Sequence, residues 1–146
     1  MIEEKKALNK EIMDMLTEEQ KIVFLKTLLY ISKIDGEVAQ GEAKFIKKMA
    51  NKYKIENLSK IFEPASEQKI LSELKILRQR RVAMELIKEM FRLGHTDYEL
   101  GDEEILFIGR VAAVTGIEIK KVEQISTWII DYVIWKEQEK IIFEED

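Results

Sequence analysis

Asp35-Gly-Glu-Val-Ala-Gln-Gly-Glu42 has a counterpart 62 positions later, Asp97-Tyr-Glu-Leu-Gly-Asp-Glu-Glu104. Asp35 falls on Asp97, Glu37 on Glu99 and Glu42 on Glu104. The apolar register agrees as well: Val38 meets Leu100, Ala43 meets Ile105, Phe45 meets Phe107, Ile46 meets Ile108 and Ala50 meets Ala112. In each copy an apolar helical pattern precedes the acidic turn and a second one follows it. The spacing therefore predicts two helix–acidic turn–helix units joined as an internal pseudo-twofold repeat. Asp-Gly is a turn signal. Ala39 is the expected N-cap of the helix that follows, which puts Glu42 at its third position. Val38 then stands where it can staple to Ala43, as Leu100 can to Ile105.

Outward from the repeat, the chain reads as helical throughout. Thr17, with Gln20 three residues on, has the form of a capping box. It opens a helix from Glu18 to about Lys33 whose apolar residues surround it, the mark of a central helix. A helix over about 40–52 turns Phe45, Ile46, Met49 and Tyr53 inward. Ile61 and Phe62 end a short helix before Pro64, and Ser66 caps another that reaches about Leu74. Residues 78–93 form a helix with Val82, Leu86, Met90 and Leu93 on its inner face. Residues 102–115 form the next, with Ile105, Ile108, Val111 and Ala112 inward and Gly116 at its C-cap. The last begins near Glu118 and reaches at least Trp135. These patterns predict an all-α single domain over 1–146, a bundle of seven to eight helices. Leu8, Ile12 and Met15 mark a peripheral first helix within 1–15, and residues 137–146 a charged tail.

The chain has 146 residues, with 24 basic and 28 acidic groups, one histidine and no cysteine. This excludes disulfides, thiolate metal sites, a cysteine nucleophile and multi-histidine zinc sites. No apolar run is long enough to span a membrane. Residues 1–10 do not read as a signal peptide, so a cytoplasmic location without membrane insertion is the expectation. Residues 95–146 hold 5 basic and 13 acidic groups, a field that opposes nucleic-acid binding. The basic cluster Lys75, Arg78, Arg80 and Arg81 reads as a solvated helix face. His95, after Gly94, reads as a helix-end or exposed polar residue. Trp128, Tyr132 and Trp135 are open to two assignments, core or a surface for a protein partner or a homodimer. The expectation is Trp128 inside and Trp135 at a surface.

The candidate site is the acidic pair of turns. Asp35, Glu37, Glu42, Asp97, Glu99 and Glu104 supply hard oxygen ligands, which suit Ca²⁺ or Mg²⁺. The competing account is structural. Glutamates in a first helical turn are favoured by the exposed N–H groups there, and turn aspartates bond their own backbone. The loops are not EF-hands, because the twelve-residue ligand pattern is absent. No phosphate-binding glycine loop or nucleophilic triad is present. A metal-dependent phosphohydrolase using Asp35, Glu42, Asp97 and Glu104 is the enzymatic alternative.

At these same residues the sequence resembles the TerB-like family, named for a tellurite resistance protein. The first mark is Asp35-Gly-Glu-Val38 with Glu42 opening the next helix. The second is Asp97, Glu99, Asp102, Glu103 and Glu104 before the apolar helix over 105–117. The resemblance covers about residues 15–135. It implies an all-α domain with internal pseudo-symmetry, a metal-binding or metal-sensing acidic surface, and an association with bacterial stress responses, phage defence and membrane-associated complexes. A related domain belongs to a membrane-anchored DnaJ-like co-chaperone that makes protein contacts. Tyr98 stands where the first loop has Gly36, a departure from which a less tight second turn with a different ligand geometry is expected.

Overall fold

The computed structural model describes residues 8–34, 40–94 and 100–144, with the backbone alone at 40–42 and 94. It is all-helical, with eight α-helices and no strand among the described residues. They are α1 (Lys10–Asp14), α2 (Glu18–Lys33), α3 (Gln40–Lys52), α4 (Leu58–Phe62), α5 (Glu67–Glu73), α6 (Arg80–Gly94), α7 (Asp102–Thr115) and α8 (Ile119–Phe143). A 3-10 turn, Leu74–Ile76, extends α5.

The helix starts follow from local chemistry. Thr17 accepts from the Gln20 N–H at 3.1 Å, and Gln20 Oε1 accepts from the Thr17 N–H at 3.0 Å, which completes the capping box. Ser66 accepts from the Lys69 N–H at 3.2 Å and opens α5. Asn9 does the same for α1 through Ile12.

α2 lies at the centre. Phe24, Leu25 and Leu28 have no exposed surface, and the helix packs against α3, α4, α5 and α6. α6 is the second hub, in contact with α2, α7 and α8. α1 is held by Leu8, Ile12, Met13 and Leu16, all buried. Met15, expected inward, is 53% exposed, because Met13 takes the inner position. In α7 Ile108, Val111 and Ala112 are buried as expected, but Phe107 takes the inner place expected for Ile105. Phe107 is fully buried, whereas Ile105 is 49% exposed. Residues 137–143, expected as a tail, continue α8 as helix.

The 62-residue offset reappears in the helix bounds. α2 begins at Glu18 and α6 at Arg80; α3 begins at Gln40 and α7 at Asp102. The ends of α3 and α7 close alike. The Ile55 N–H donates to the Ala50 carbonyl, and the Ile117 N–H donates to the Ala112 carbonyl, both at 2.9 Å. The residue before each donor is left-handed: Lys54 at φ +60° and Gly116 at φ +78°.

Candidate functional site

Two regions of the bundle bear on function. The first is the end at which α2 stops and α7 starts. Tyr30, Lys33 and Ile34 of the α2 end, with Glu103, Leu106 and Arg110 of α7, line one cleft of about 430 Å³. Glu67, at the start of α5, closes it, and Arg110 Nη1 reaches both of its carboxylate oxygens at 2.9 and 3.1 Å. The Tyr30 ring lies 4.8 Å from that of Phe107. Burial pushes the Tyr30 hydroxyl pKa above its ordinary value, and the nearby Glu67 carboxylate adds to this. Asp35 follows Ile34 in the chain, and Glu103 stands four positions after Glu99. The chain thus enters the first acidic turn from the rim of this cleft, and α7 emerges from the second into its wall.

Of the six candidate ligands, Asp35, Glu37, Asp97 and Glu99 lie outside the described residues, as does the expected cap Ala39. Glu42 is in the first turn of α3, where the backbone alone is described. Glu104 is in the first turn of α7, and its Oε1 accepts from the Gly101 N–H at 3.0 Å. Gly101 has no side chain to return the bond, so Glu104 makes half a capping box. The helix-start role weighed for this glutamate is therefore present. Among the described residues no three acidic or histidine side chains gather as a cation cage.

The second region is α8. Its inner face, Val122, Ile125, Ile129 and Val133, packs on the core, yet Ile129 is its one buried residue. Trp128 is 59% exposed and Trp135 is 60% exposed. The expectation that Trp128 lies inside is corrected. Ile125 and Ile129 occupy the inward arc, and Trp128 is carried out of it by the helical turn. Ile134, Ile141, Ile142 and Phe143 are exposed as well. Lys136 sits 5.5 Å from the centre of the Trp135 ring and 3.0 Å from Glu139.

No protein-family model, curated protein or solved structure matches the chain.

Beneath α8, the central helix α6 carries charges that the sequence conceals in an apparently ordinary amphipathic pattern. Glu85 and Glu89 are both 1% exposed. Lys88 pairs with Glu85, and stands 3.4 Å from Glu89. Arg92 Nη2 is 2.6 Å from Glu89 Oε1. Burial pushes the Glu89 carboxyl pKa up; Arg92 and Lys88 oppose the shift and Glu85 reinforces it. The signal was the run of Glu85, Lys88, Glu89 and Arg92, in which each glutamate has a cation three positions on. A third buried charge, Lys26 of α2, pairs with Glu73 at 3.0 Å on the floor of a groove of about 590 Å³. Lys60, Lys69 and Glu63 line the same groove. Its three lysines face several carboxylates, so it offers no net field to an anionic ligand.

Among the described residues no helix is long and apolar enough to cross a membrane.

Proposed function

We propose that this chain is a non-enzymatic helical binding module that docks a protein through the outer side of α8. The exposure of Trp128 and Trp135 on a helix whose opposite side is packed into the core carries this reading. Folded monomers rarely leave apolar patches beyond roughly 300–600 Å² on their surface without a function. A helix that is apolar on more than one side is built to be covered. The test places a photo-crosslinking residue at Trp135 in living cells, with exposed Lys47 as the control position. A protein adduct from position 135 and none from 47 is expected. No adduct from 135 would refute the docking role.

The two acidic turns are proposed as a divalent-cation element, Ca²⁺ or Mg²⁺, held by Asp35, Glu37, Glu42, Asp97, Glu99 and Glu104. The cleft that joins Ile34, the residue before the first turn, to Glu103 in the first turn of α7 supports this reading. The matched helix bounds support a pseudo-twofold relation between the units. Bound cation would relieve the repulsion among these carboxylates and fix the α2 and α7 ends against each other. Calorimetric titration of each cation into metal-stripped protein tests this, with the Asp35→Asn/Asp97→Asn variant beside it. Binding that the variant loses is the expected result; binding that it keeps refutes the ligand set. The TerB-like resemblance would place such a module in a bacterial stress response, including one to tellurite. Metal-dependent phosphohydrolase activity is the second proposal for the same carboxylates, and added metal with a phosphorylated substrate reads it directly.

A further inference from the structure

Apart from the acidic turns, three features stand out: the lysine-lined groove under α2, the buried charges of α6 and the outer side of α8. The first sets three lysines against four glutamates, and the second pairs its glutamates with cations of its own helix. The third has a pattern that specifies its occupant.

α8 is 25 residues long, about 37 Å at the α-helical rise. Along it, Thr127/Trp128, Ile134/Trp135 and Ile141/Ile142 form doublets seven residues apart. Seven-residue spacing keeps a seam on one side of a helix and is the pattern read by a second helix lying alongside. Between the doublets on that side fall Asp131 and Gln138, again seven apart.

We infer that the outer side of α8 pairs with the same side of a second copy of this chain, antiparallel about a twofold axis at the Ile134/Trp135 doublet. This rests on the docking role of α8 proposed above. The pattern is self-complementary about that point. Reversing the helix there sets Thr127/Trp128 of one copy on Ile141/Ile142 of the other. It also sets Asp131 opposite Gln138, an acceptor facing an amide donor. Such a closed, isologous contact is the commonest mode of self-association.

Size and charge agree with that occupant. On this side Trp128, Ile134, Trp135, Ile141 and Ile142 are each at least 50% exposed. With about 250 Å² for a whole tryptophan and each side chain counted by its exposed fraction, they offer on the order of 600 Å². Two copies would bury on the order of 1,200 Å² together, the lower end of the range for specific interfaces. Residues 127–143 carry Asp131, Glu137 and Glu139 against Lys136 and Lys140. This near-neutral surface presents little field to a strongly charged protein, and two lysines are few for an anionic lipid surface. A copy of itself meets no like-charge penalty of consequence.

Trp128 and Trp135 are the two tryptophans of the chain, so selectively excited tryptophan emission reports on this surface alone. Sedimentation of the full chain at about 50 µM, within reach of interfaces this size, should give twice the 17.2 kDa chain mass. Emission should be blue-shifted there and move to the red on dilution. Trp135→Glu should be monomeric at the same concentration with unchanged helical circular dichroism. Because the chain lacks cysteine, Ile134→Cys, beside the axis, should oxidise to a covalent dimer, whereas Ile119→Cys, at the far end, should not. A wild-type monomer with solvent-exposed emission overturns the inference, as does a dimer that survives Trp135→Glu. A monomer whose emission shifts only on vesicles of neutral and anionic lipid overturns it in favour of a membrane. Should Trp135→Glu not fold, the wild-type dilution series and the cysteine pair decide alone. A crosslink from position 135 to another protein would sustain the docking role while overturning the self-pairing.

Discussion

Replacing Lys54 by glycine should stabilise the protein, although it removes a side chain and adds none. Lys54 is exposed and has φ +60°, the left-handed region in which a Cβ crowds the following carbonyl. The cost for an L-residue there is about 1–2 kcal/mol. Glycine avoids it but gives up about 0.5–1 kcal/mol through the greater freedom of its unfolded chain. The expected gain for Lys54→Gly is therefore about 0.5–1 kcal/mol. Gly116 is the mirror experiment. It has φ +78°, and a Cβ built on it meets no atom within 4 Å. Gly116→Ala thus tests backbone strain without a steric clash. Its loss should be about 1 kcal/mol after the unfolded-state gain from alanine is subtracted.

Urea unfolding followed by circular dichroism at 222 nm measures both. Thermal midpoints should move by about 2–4 °C per kcal/mol for a chain near this size, up for Lys54→Gly and down for Gly116→Ala. The pair also probes the 62-residue offset, because both residues precede the amide that closes their helix, Ile55 on Ala50 and Ile117 on Ala112. A loss of stability in Lys54→Gly, or a harmless Gly116→Ala, would refute the assignment of strain to these helix ends.

Phe107→Ala should cost about 3–5 kcal/mol in the same assay, the range for a large aromatic removed from a closed core, since Phe107 is fully buried against Tyr30; Ile105→Ala, on the exposed side of α7, should cost far less. Thr17→Ala removes the acceptor for the Gln20 N–H and should cost about 1 kcal/mol, with Thr17→Ser retaining most of the stability. Glu89 gives a pH prediction. Its folded pKa lies above the ordinary 4.5 because of burial, so its contribution is fully present below pH 4.5 and is lost as pH rises through the folded value. Glu89→Gln should therefore gain on the wild type as pH rises above 4.5 in urea titrations at each pH. A wild type that gains on the variant would show that Arg92 and Lys88 outweigh the burial.

The features that could be seen in the sequence are those whose cause is local. Thr17 with Gln20, Ser66 before α5 and Gly116 after α7 each satisfy backbone groups within a few residues, and each appears as expected. The broad apolar coverage of α2 likewise had one physical outcome, a helix enclosed by its neighbours. α7 was harder because Ile105 and Phe107 are both apolar and compete for one inner place. The choice was made by packing, where Phe107 meets Tyr30. Nothing in the helical period marks Glu85 and Glu89 as buried, because period alone cannot tell a solvated carboxylate from one held beside Lys88 and Arg92.

The same ambiguity governs both candidate sites. A glutamate at the third position of a helix serves a cap and a cation with the same oxygens. Spacing therefore could not assign Glu104, and its bond to the Gly101 N–H gives it a structural task. In α8 an apolar residue facing the core and one facing a partner have the same chemistry. Trp128 was expected inside because an aromatic residue near Ile125 and Ile129 resembles more core. What separates them is angle: Ile125 and Ile129 fall on the packed arc, Trp128 and Trp135 outside it. The seven-residue doublets were in the sequence from the start, but they gain meaning only once α2, α6 and α7 are seen to leave that side uncovered. Core and interface are then distinguished by what the remaining helices cover.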